Sequence, residues 1–188
     1  MTRFDKVKKF VLTPNFMTLS RVAVVPVIVV LLMYETKITT FIAAGLFAIA
    51  SITDYLDGYL ARTLGMTTEF GKVLDPLADK LLVSSSLIML VSLDFMQAWI
   101  ACVIIGRELA VTGLRCVLIE NNQDVAASWL GKYKTGFQIA AIIPLTIHYG
   151  YLGIDFSGIG LFFLYGALIF TIWSGLDYFI KARKFFSL

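Results

Sequence analysis

Residues 54–80 read DYLDGYLARTLGMTTEFGKVLDPLADK, and four of them, Asp54, Asp57, Asp75 and Asp79, are aspartates. The surrounding chain is apolar: of its 188 residues 59% are hydrophobic and 15% charged, and the mean hydropathy is +0.83. Soluble domains carry more charge, and their apolar residues recur at amphipathic spacing instead of in long runs. The composition therefore predicts an integral membrane protein. The four carboxylates need a reason to stand in it, because an ionised carboxylate near hydrocarbon is costly.

Their spacing supplies one. Asp54, Asp57, Gly58 and Ala61 follow i, i+3, i+4, i+7, one face of a helix, and Gly71, Asp75 and Asp79 recur every four residues. Two carboxylates from each of two neighbouring helices can then meet. Left alone, they would repel. Divalent cations remove the repulsion, and an all-oxygen ligand set without His or Cys favours Mg²⁺, Mn²⁺ or Ca²⁺ over Zn²⁺. Gly58, Ala61 and Gly71 keep bulk off the same faces, so a ligand can approach the backbone. Two metals on shared carboxylates suit a pyrophosphate, and one carboxylate beside an attacking hydroxyl can take its proton. The competing reading pairs the aspartates with Arg62, Lys72 and Lys80 at a solvated membrane edge.

Outward from this stretch, apolar runs predict six spans, about 16–34, 38–61, 72–93, 96–118, 130–150 and 158–180. Each is close to the ~20 residues that cross ~30 Å of hydrocarbon. The opening RFDKVKKFVL (3–12) places Phe4, Val7, Phe10 and Val11 on one stripe, which predicts a short amphipathic helix in the membrane interface, ended by Thr13-Pro14-Asn15. The chain is thus expected to be all-α and a single membrane domain over 1–188. Residues 1–14 would form the interfacial N-terminal helix and 15–188 the six-helix bundle.

Lys and Arg gather at one side of these spans. Arg3, Lys6, Lys8, Lys9, Arg62, Lys72, Lys132, Lys134, Lys181, Arg183 and Lys184 fall inside if the N-terminus is inside, and only Lys37 falls outside. The positive-inside rule then puts both termini in the cytoplasm, with the aspartates at the inner ends of spans 2 and 3. Arg107, Glu108 and Arg115 lie in the inner half of span 4. Trp99, Tyr149 and Tyr151 outside, and Trp129, Tyr133 and Tyr178 inside, fit aromatic belts, and His148 falls on the outer side. Pro26 and Pro144 are expected to kink their helices. Cys102 and Cys116 lie in one apolar run and read as small buried side chains instead of a disulfide or metal site. The net charge of +3 gives no case for nucleic acid, and no cleavage pattern marks a signal peptide.

The full pattern Asp54-x2-Asp57-Gly58-x2-Ala61-Arg62-x8-Gly71-x3-Asp75-x3-Asp79 resembles the signature of the CDP-alcohol phosphotransferase family, with every position filled. The resemblance implies a six-helix membrane enzyme with an interfacial N-terminal helix, usually a homodimer, that moves the phosphoryl-linked group of a CDP-lipid to an alcohol and releases CMP. By the same resemblance Asp54, Asp57, Asp75 and Asp79 bind two divalent cations, Mg²⁺ or Mn²⁺, and Asp79 is also the general base. Gly58, Ala61, Arg62 and Gly71 would contact the CDP-lipid. Thr68 would match a nucleotide contact, and Asn15 and Thr18 would cap the nucleotide pocket.

The acceptor must be read elsewhere. Arg107, Arg115, Lys132 and Lys134 sit at the inner ends of spans 4 and 5, and cations beside a site already occupied by pyrophosphate need an anion of their own. A phosphate-bearing acceptor supplies it; serine suits a purely basic pocket poorly. Positive-inside anchoring is the blander explanation for Lys132 and Lys134. The stretches GRELAVTGLR (106–115) and GKYKT (131–135) resemble phosphatidylglycerophosphate synthases. That resemblance implies CDP-diacylglycerol and glycerol 3-phosphate as substrates, phosphatidylglycerophosphate and CMP as products, and Glu108 as a residue that orients an Arg. It implies a multi-pass protein of the plasma (inner) membrane with its site facing the cytoplasm. Inositol phosphate, serine and phosphatidylglycerol are the other acceptors within the family. Outside it, the alternatives are an aspartate-rich membrane prenyltransferase, although those bundles are larger and their Asp motifs lack the Gly-x2-Ala-Arg interruption, and a divalent-cation transporter, although transport sites usually lie near the midplane between repeated halves and no repeat is visible here.

Overall fold

A computed structural model describes residues 14–64, 69–120, 129–150 and 153–186. Among them the chain forms six helices, α1 (Pro14–Met33), α2 (Lys37–Leu64), α3 (Glu69–Ser92), α4 (Ala98–Glu120), α5 (Trp129–Ile147) and α6 (Phe156–Phe186). The predicted interfacial helix over 1–14 lies outside the described residues, except that Pro14 opens α1. Proline is at home there, because the N–H of the first helical residue has no acceptor within the helix and its absence costs nothing. The chain divides into two compact units, residues 1–89 and 90–188, with the boundary inside α3.

In the first unit α1 and α2 pack as a hairpin. Its turn is sharp and well capped. Glu35 takes a left-handed backbone (φ 47°) and donates its N–H to the Leu32 carbonyl at 3.2 Å. Thr36 and Thr39 then satisfy each other: each backbone N–H meets the other's hydroxyl, at 3.0 and 3.2 Å, the reciprocal arrangement of a capping box. Ala43, Ala44, Phe47 and Ala50 form the buried stripe of α2, with Ile28 and Leu32 buried on α1. The end of α3 is a Schellman motif in which Asp94 (φ 57°) replaces the usual glycine: Phe95 N–H reaches Leu90 at 2.9 Å and Asp94 N–H reaches Val91 at 3.1 Å.

In the second unit α6 packs against both α4 and α5. Asp155 caps its start, accepting the Gly158 N–H at 3.0 Å. Close approach to α5 depends on two glycines. A Cβ on Gly160 would stand 2.6 Å from Leu145 Cγ and 2.9 Å from the Leu145 backbone nitrogen, and one on Gly166 would enter the Phe137 ring at 2.6 Å. Gly45, by contrast, has nothing within 4 Å of its missing Cβ. Gly160→Ala is therefore expected to lower the thermal midpoint, by an overpacking cost of about 1–3 kcal/mol. Gly45→Ala is expected to raise it, through up to ~1 kcal/mol of recovered helix propensity. Midpoints measured on purified variants in detergent that moved in the same direction would contradict this.

The surface of α6 shows what solvent the helix meets. Ile159, Leu161, Phe162, Tyr165, Ile169, Ile172, Trp173, Leu176, Phe179 and Ile180 are exposed, whereas the buried stripe includes Thr171 and Ser174. Ten large apolar groups turned outward and hydroxyls turned inward invert the order of a soluble protein, where burying each such side chain is worth about 1.5–3 kcal/mol. By length and composition α2 (Lys37–Tyr55) and α6 (Phe156–Arg183) can cross a membrane, and Leu19–Met33 is a shorter apolar stretch on α1. The other helices interrupt their apolar runs with ionisable residues.

Some expectations need correction. Cys102 and Cys116 are free, as expected, but exposed instead of buried. Tyr178 is no belt residue: it is buried with Leu118 and Ala182. His148 is half-buried, stacked on Phe95 with ring centroids 3.7 Å apart. Trp99 and Trp129 are exposed, and Tyr151 lies outside the described residues.

Candidate active site

The signature falls on α2 and α3. Asp54, Asp57, Gly58, Ala61 and Arg62 are in the last three turns of α2, and Gly71, Asp75 and Asp79 are in the first three of α3. The helical backbone thus keeps the i, i+3, i+4, i+7 register of the first set and the four-residue repeat of the second. Thr68, between them, lies outside the described residues. So do the side chains of Asp57, Gly58, Ala61, Arg62, Gly71 and Asp75, and those of Asn15 and Thr18 in the first turns of α1. Asp54 and Asp79 are described in full, and both are half-buried. They offer oxygen only, the donor chemistry of a hard divalent cation.

Asp54 has a partner that the sequence reading passed over. Arg21, on α1 and 3% exposed, forms an ion pair through Nη1 with Asp54 Oδ1. The hairpin explains how they meet. Counted from the turn at Glu35, Arg21 lies about 21 Å along α1 and Asp54 about 28 Å along α2, a difference of ~7 Å that an extended arginine spans. The signal was present: Arg21 is the one cation in the apolar run 16–34, and an ionisable residue inside a span is a functional candidate with a partner to be found.

In the second unit a polar junction forms where α4, α5 and α6 meet. Glu108 (α4) accepts from Lys134 Nζ (α5) and from Arg107 Nη1 at 3.4 Å, all through Oε1. Arg107 Nη2 donates to Ser174 Oγ (α6) at 2.9 Å, and Ser174 in turn donates to the Thr171 carbonyl at 3.3 Å. Gly175 makes room: its missing Cβ would stand 3.1 Å from Arg107 Cγ. Lys134 is 6% exposed, so its charge is held by Glu108 instead of water.

Of the four cations expected to form an acceptor pocket, this network joins two, Arg107 and Lys134. Arg115 is exposed, and Lys132 is exposed with its ammonium 4.3 Å from the Trp129 ring centroid. The pocket is not purely basic either, because Glu108 stands between its cations. Sequence reasoning missed Ser174, Thr171 and Gln138, which look like ordinary small or polar residues in a span. Their signal is positional: Thr171, Ser174 and Tyr178 follow i, i+3, i+7 on α6, and Gln138 is one turn from Lys134 on α5.

Comparison with known proteins identifies the family. The CDP-alcohol phosphatidyltransferase family matches residues 11–173. A relative from Bacillus subtilis (strain 168), named CDP-diacylglycerol–glycerol-3-phosphate 3-phosphatidyltransferase, is 43% identical, with 89% of this chain and 93% of the relative covered. Relatives of the same name from Rickettsia felis (38% identical; 92% and 96% covered) and Escherichia coli K12 (37%; 90% and 94%) are similar over equal extents. The family is membrane-bound and uses a divalent metal, in keeping with the apolar outer face of α6 and the carboxylates of α2 and α3. The aspartate signature, its setting on two consecutive helices and a match spanning most of the sequence together make this chain a member of the CDP-alcohol phosphatidyltransferase family.

Proposed function

We propose that this protein transfers the phosphatidyl group of CDP-diacylglycerol to glycerol 3-phosphate, giving phosphatidylglycerophosphate and CMP. The observation that carries the reading is the shared name of relatives 37–43% identical over about nine-tenths of the chain. The junction of Arg107 and Lys134 supports it, since a phosphate monoester needs cations outside the diphosphate site.

In this reading Asp54, Asp57, Asp75 and Asp79 hold two divalent cations, Mg²⁺ or Mn²⁺, which when bound neutralise the diphosphate oxygens. Asp79 takes the proton of the acceptor hydroxyl as its oxygen forms a bond to the β-phosphorus. The bond from that phosphorus to CMP breaks, and CMP leaves with the electron pair. Gly58, Ala61, Arg62, Thr68 and Gly71, with Asn15 and Thr18, hold the CDP-lipid; Arg107 and Lys134, helped by Arg115 and Lys132, hold the acceptor phosphate. The protein works as one six-span bundle of the plasma (inner) membrane, with its N-terminal helix in the interface, both termini and the site on the cytoplasmic side. The homodimer rests on the family resemblance alone.

An acceptor panel with purified protein tests this. Label from glycerol 3-phosphate, and not from inositol phosphate, serine or phosphatidylglycerol, is expected in lipid. The serine arm matters most, because one carboxylate among two cations is a charge pattern that a zwitterion also matches. Label from serine alone would reverse the assignment. Arg107→Ala is expected to raise the KM for glycerol 3-phosphate about 10–100-fold, the worth of a charge-assisted hydrogen bond, and to leave the KM for CDP-diacylglycerol within about threefold. Equal effects on both substrates would count against a separate acceptor site.

A further inference from the structure

Three buried polar groups around the α4–α5–α6 junction have no hydrogen-bond partner: Arg107 Nε, Gln138 Nε2 and Thr171 Oγ1. Gln138 is 3% exposed and Thr171 0%, so bulk water does not satisfy them. Each such group costs about 1–3 kcal/mol if it stays unpaired, and native structures rarely leave several together.

They share one neighbourhood. Phe137 and Phe170 have ring centroids 4.9 Å apart, and Tyr133 and Phe170 5.9 Å, which sets residues 133–138 of α5 alongside 170–171 of α6. Lys134 and Gln138 are one turn apart on α5 and therefore on the same face. Thr171 shares its face of α6 with Ser174, which accepts from Arg107, and with Gly175, whose missing Cβ would stand 3.1 Å from Arg107 Cγ. Arg107 and Lys134 share the single carboxylate of Glu108, with Ser174 as a neutral partner of Arg107, so one positive charge is left for a phosphate. What also remains unmet is uncharged hydrogen-bonding capacity, an amide and a hydroxyl beside a guanidinium Nε.

We propose that Gln138 and Thr171 are specificity-determining residues that bind the hydroxyls of a phosphorylated polyol, whose phosphate is held by Arg107 and Lys134. This rests on the acceptor reading of the junction given above. An alcohol oxygen accepts from the Gln138 amide or from Arg107 Nε, and its own O–H donates to the Thr171 hydroxyl. Charged groups so placed select for phosphate, but they do not tell a polyol phosphate from an alkyl phosphate. Buried neutral donors do, because an analogue lacking the hydroxyls leaves them unpaired.

The test is binding of glycerol 3-phosphate and of n-propyl phosphate, which keeps the phosphate and carbon chain and lacks both hydroxyls. Calorimetry on the full-length protein in nanodiscs would compare wild type with Gln138→Leu, Gln138→Met and Thr171→Val. Thr171→Val removes the hydroxyl at nearly constant shape, and the two Gln138 variants guard against a single misfolded protein. Wild type is expected to bind glycerol 3-phosphate at least tenfold more tightly than propyl phosphate. In each variant the gap should close to about threefold, with propyl phosphate affinity unchanged. A gap that persists in all variants, or equal loss for both compounds, would mean that these groups hold only water, and overturns the proposal. If wild type binds both compounds and Arg107→Ala weakens neither, the phosphate reading of the junction falls as well. If wild type binds neither, the acceptor site lies elsewhere and the inference goes with it.

Discussion

Asp79→Asn is expected to reduce CMP release from CDP-diacylglycerol by about two to four orders of magnitude, the range that a positioned general base contributes. Asparagine keeps the shape and one carbonyl oxygen, so the helical face of α3 and the packing of the neighbouring Ala78, 1% exposed, stay as they are. It loses the capacity to accept a proton. CDP-lipid binding, followed as retention of labelled CDP-diacylglycerol, should persist in part. A Mn²⁺ series separates the two roles proposed for Asp79. If high Mn²⁺ restores turnover, the residue matters as a ligand and proton transfer belongs to another group. If turnover stays low while Mn²⁺ binding is retained, the base assignment stands. Loss of lipid binding in proportion to turnover would sink it.

Separating Arg21 from Asp54 should change stability measurably, and the effect should be asymmetric. Asp54→Ala leaves a guanidinium at 3% exposure without this carboxylate, whereas Arg21→Met leaves a carboxylate whose side chain is 35% exposed and can be hydrated. Breaking a fully buried pair costs about 3–5 kcal/mol. Because Asp54 keeps part of its surface open, about 2 kcal/mol or more is expected for Asp54→Ala, and under ~1 kcal/mol for Arg21→Met, whose side chain refills the space. For a chain of this size that is a midpoint lower by roughly 5 °C against a shift of one or two. The measurement belongs in excess chelator, so that a lost metal ligand does not contribute. A larger drop for Arg21→Met would show that the arginine serves some partner other than Asp54.

The six helices were legible because apolar runs bounded by turn residues have few other solutions. Their ends were less so: α6 continues to Phe186, six residues beyond its predicted end, since the KARKFF segment is still good helix. The outward faces were not legible. A span that is apolar all round gives no moment to say which side is buried, so Cys102 and Cys116 were placed inside and face out, and Tyr178 was placed at a belt and lies in a core cluster. The aspartate faces could be read because helical spacing is local. The Arg21–Asp54 and Glu108–Lys134 pairs join residues 33 and 26 positions apart, and only the packing of helices decides them. Glu108 was expected to orient an arginine, and it lies 3.4 Å from Arg107, but nothing in the spacing pointed to Lys134.

In the six-span reading proposed above, Glu108 also bears on how the chain enters a bilayer during synthesis. A lone arginine or lysine at the centre of an inserting helix costs about 2.5–3.5 kcal/mol on translocon scales. In α4 the arginine arrives with a carboxylate at the next residue, so that level of the helix carries no net charge when it leaves the ribosome. Lys134 follows with α5, after the carboxylate that receives it is already in place. Among Arg107, Glu108 and Lys134, chain order thus delivers the anion before the lysine that it receives.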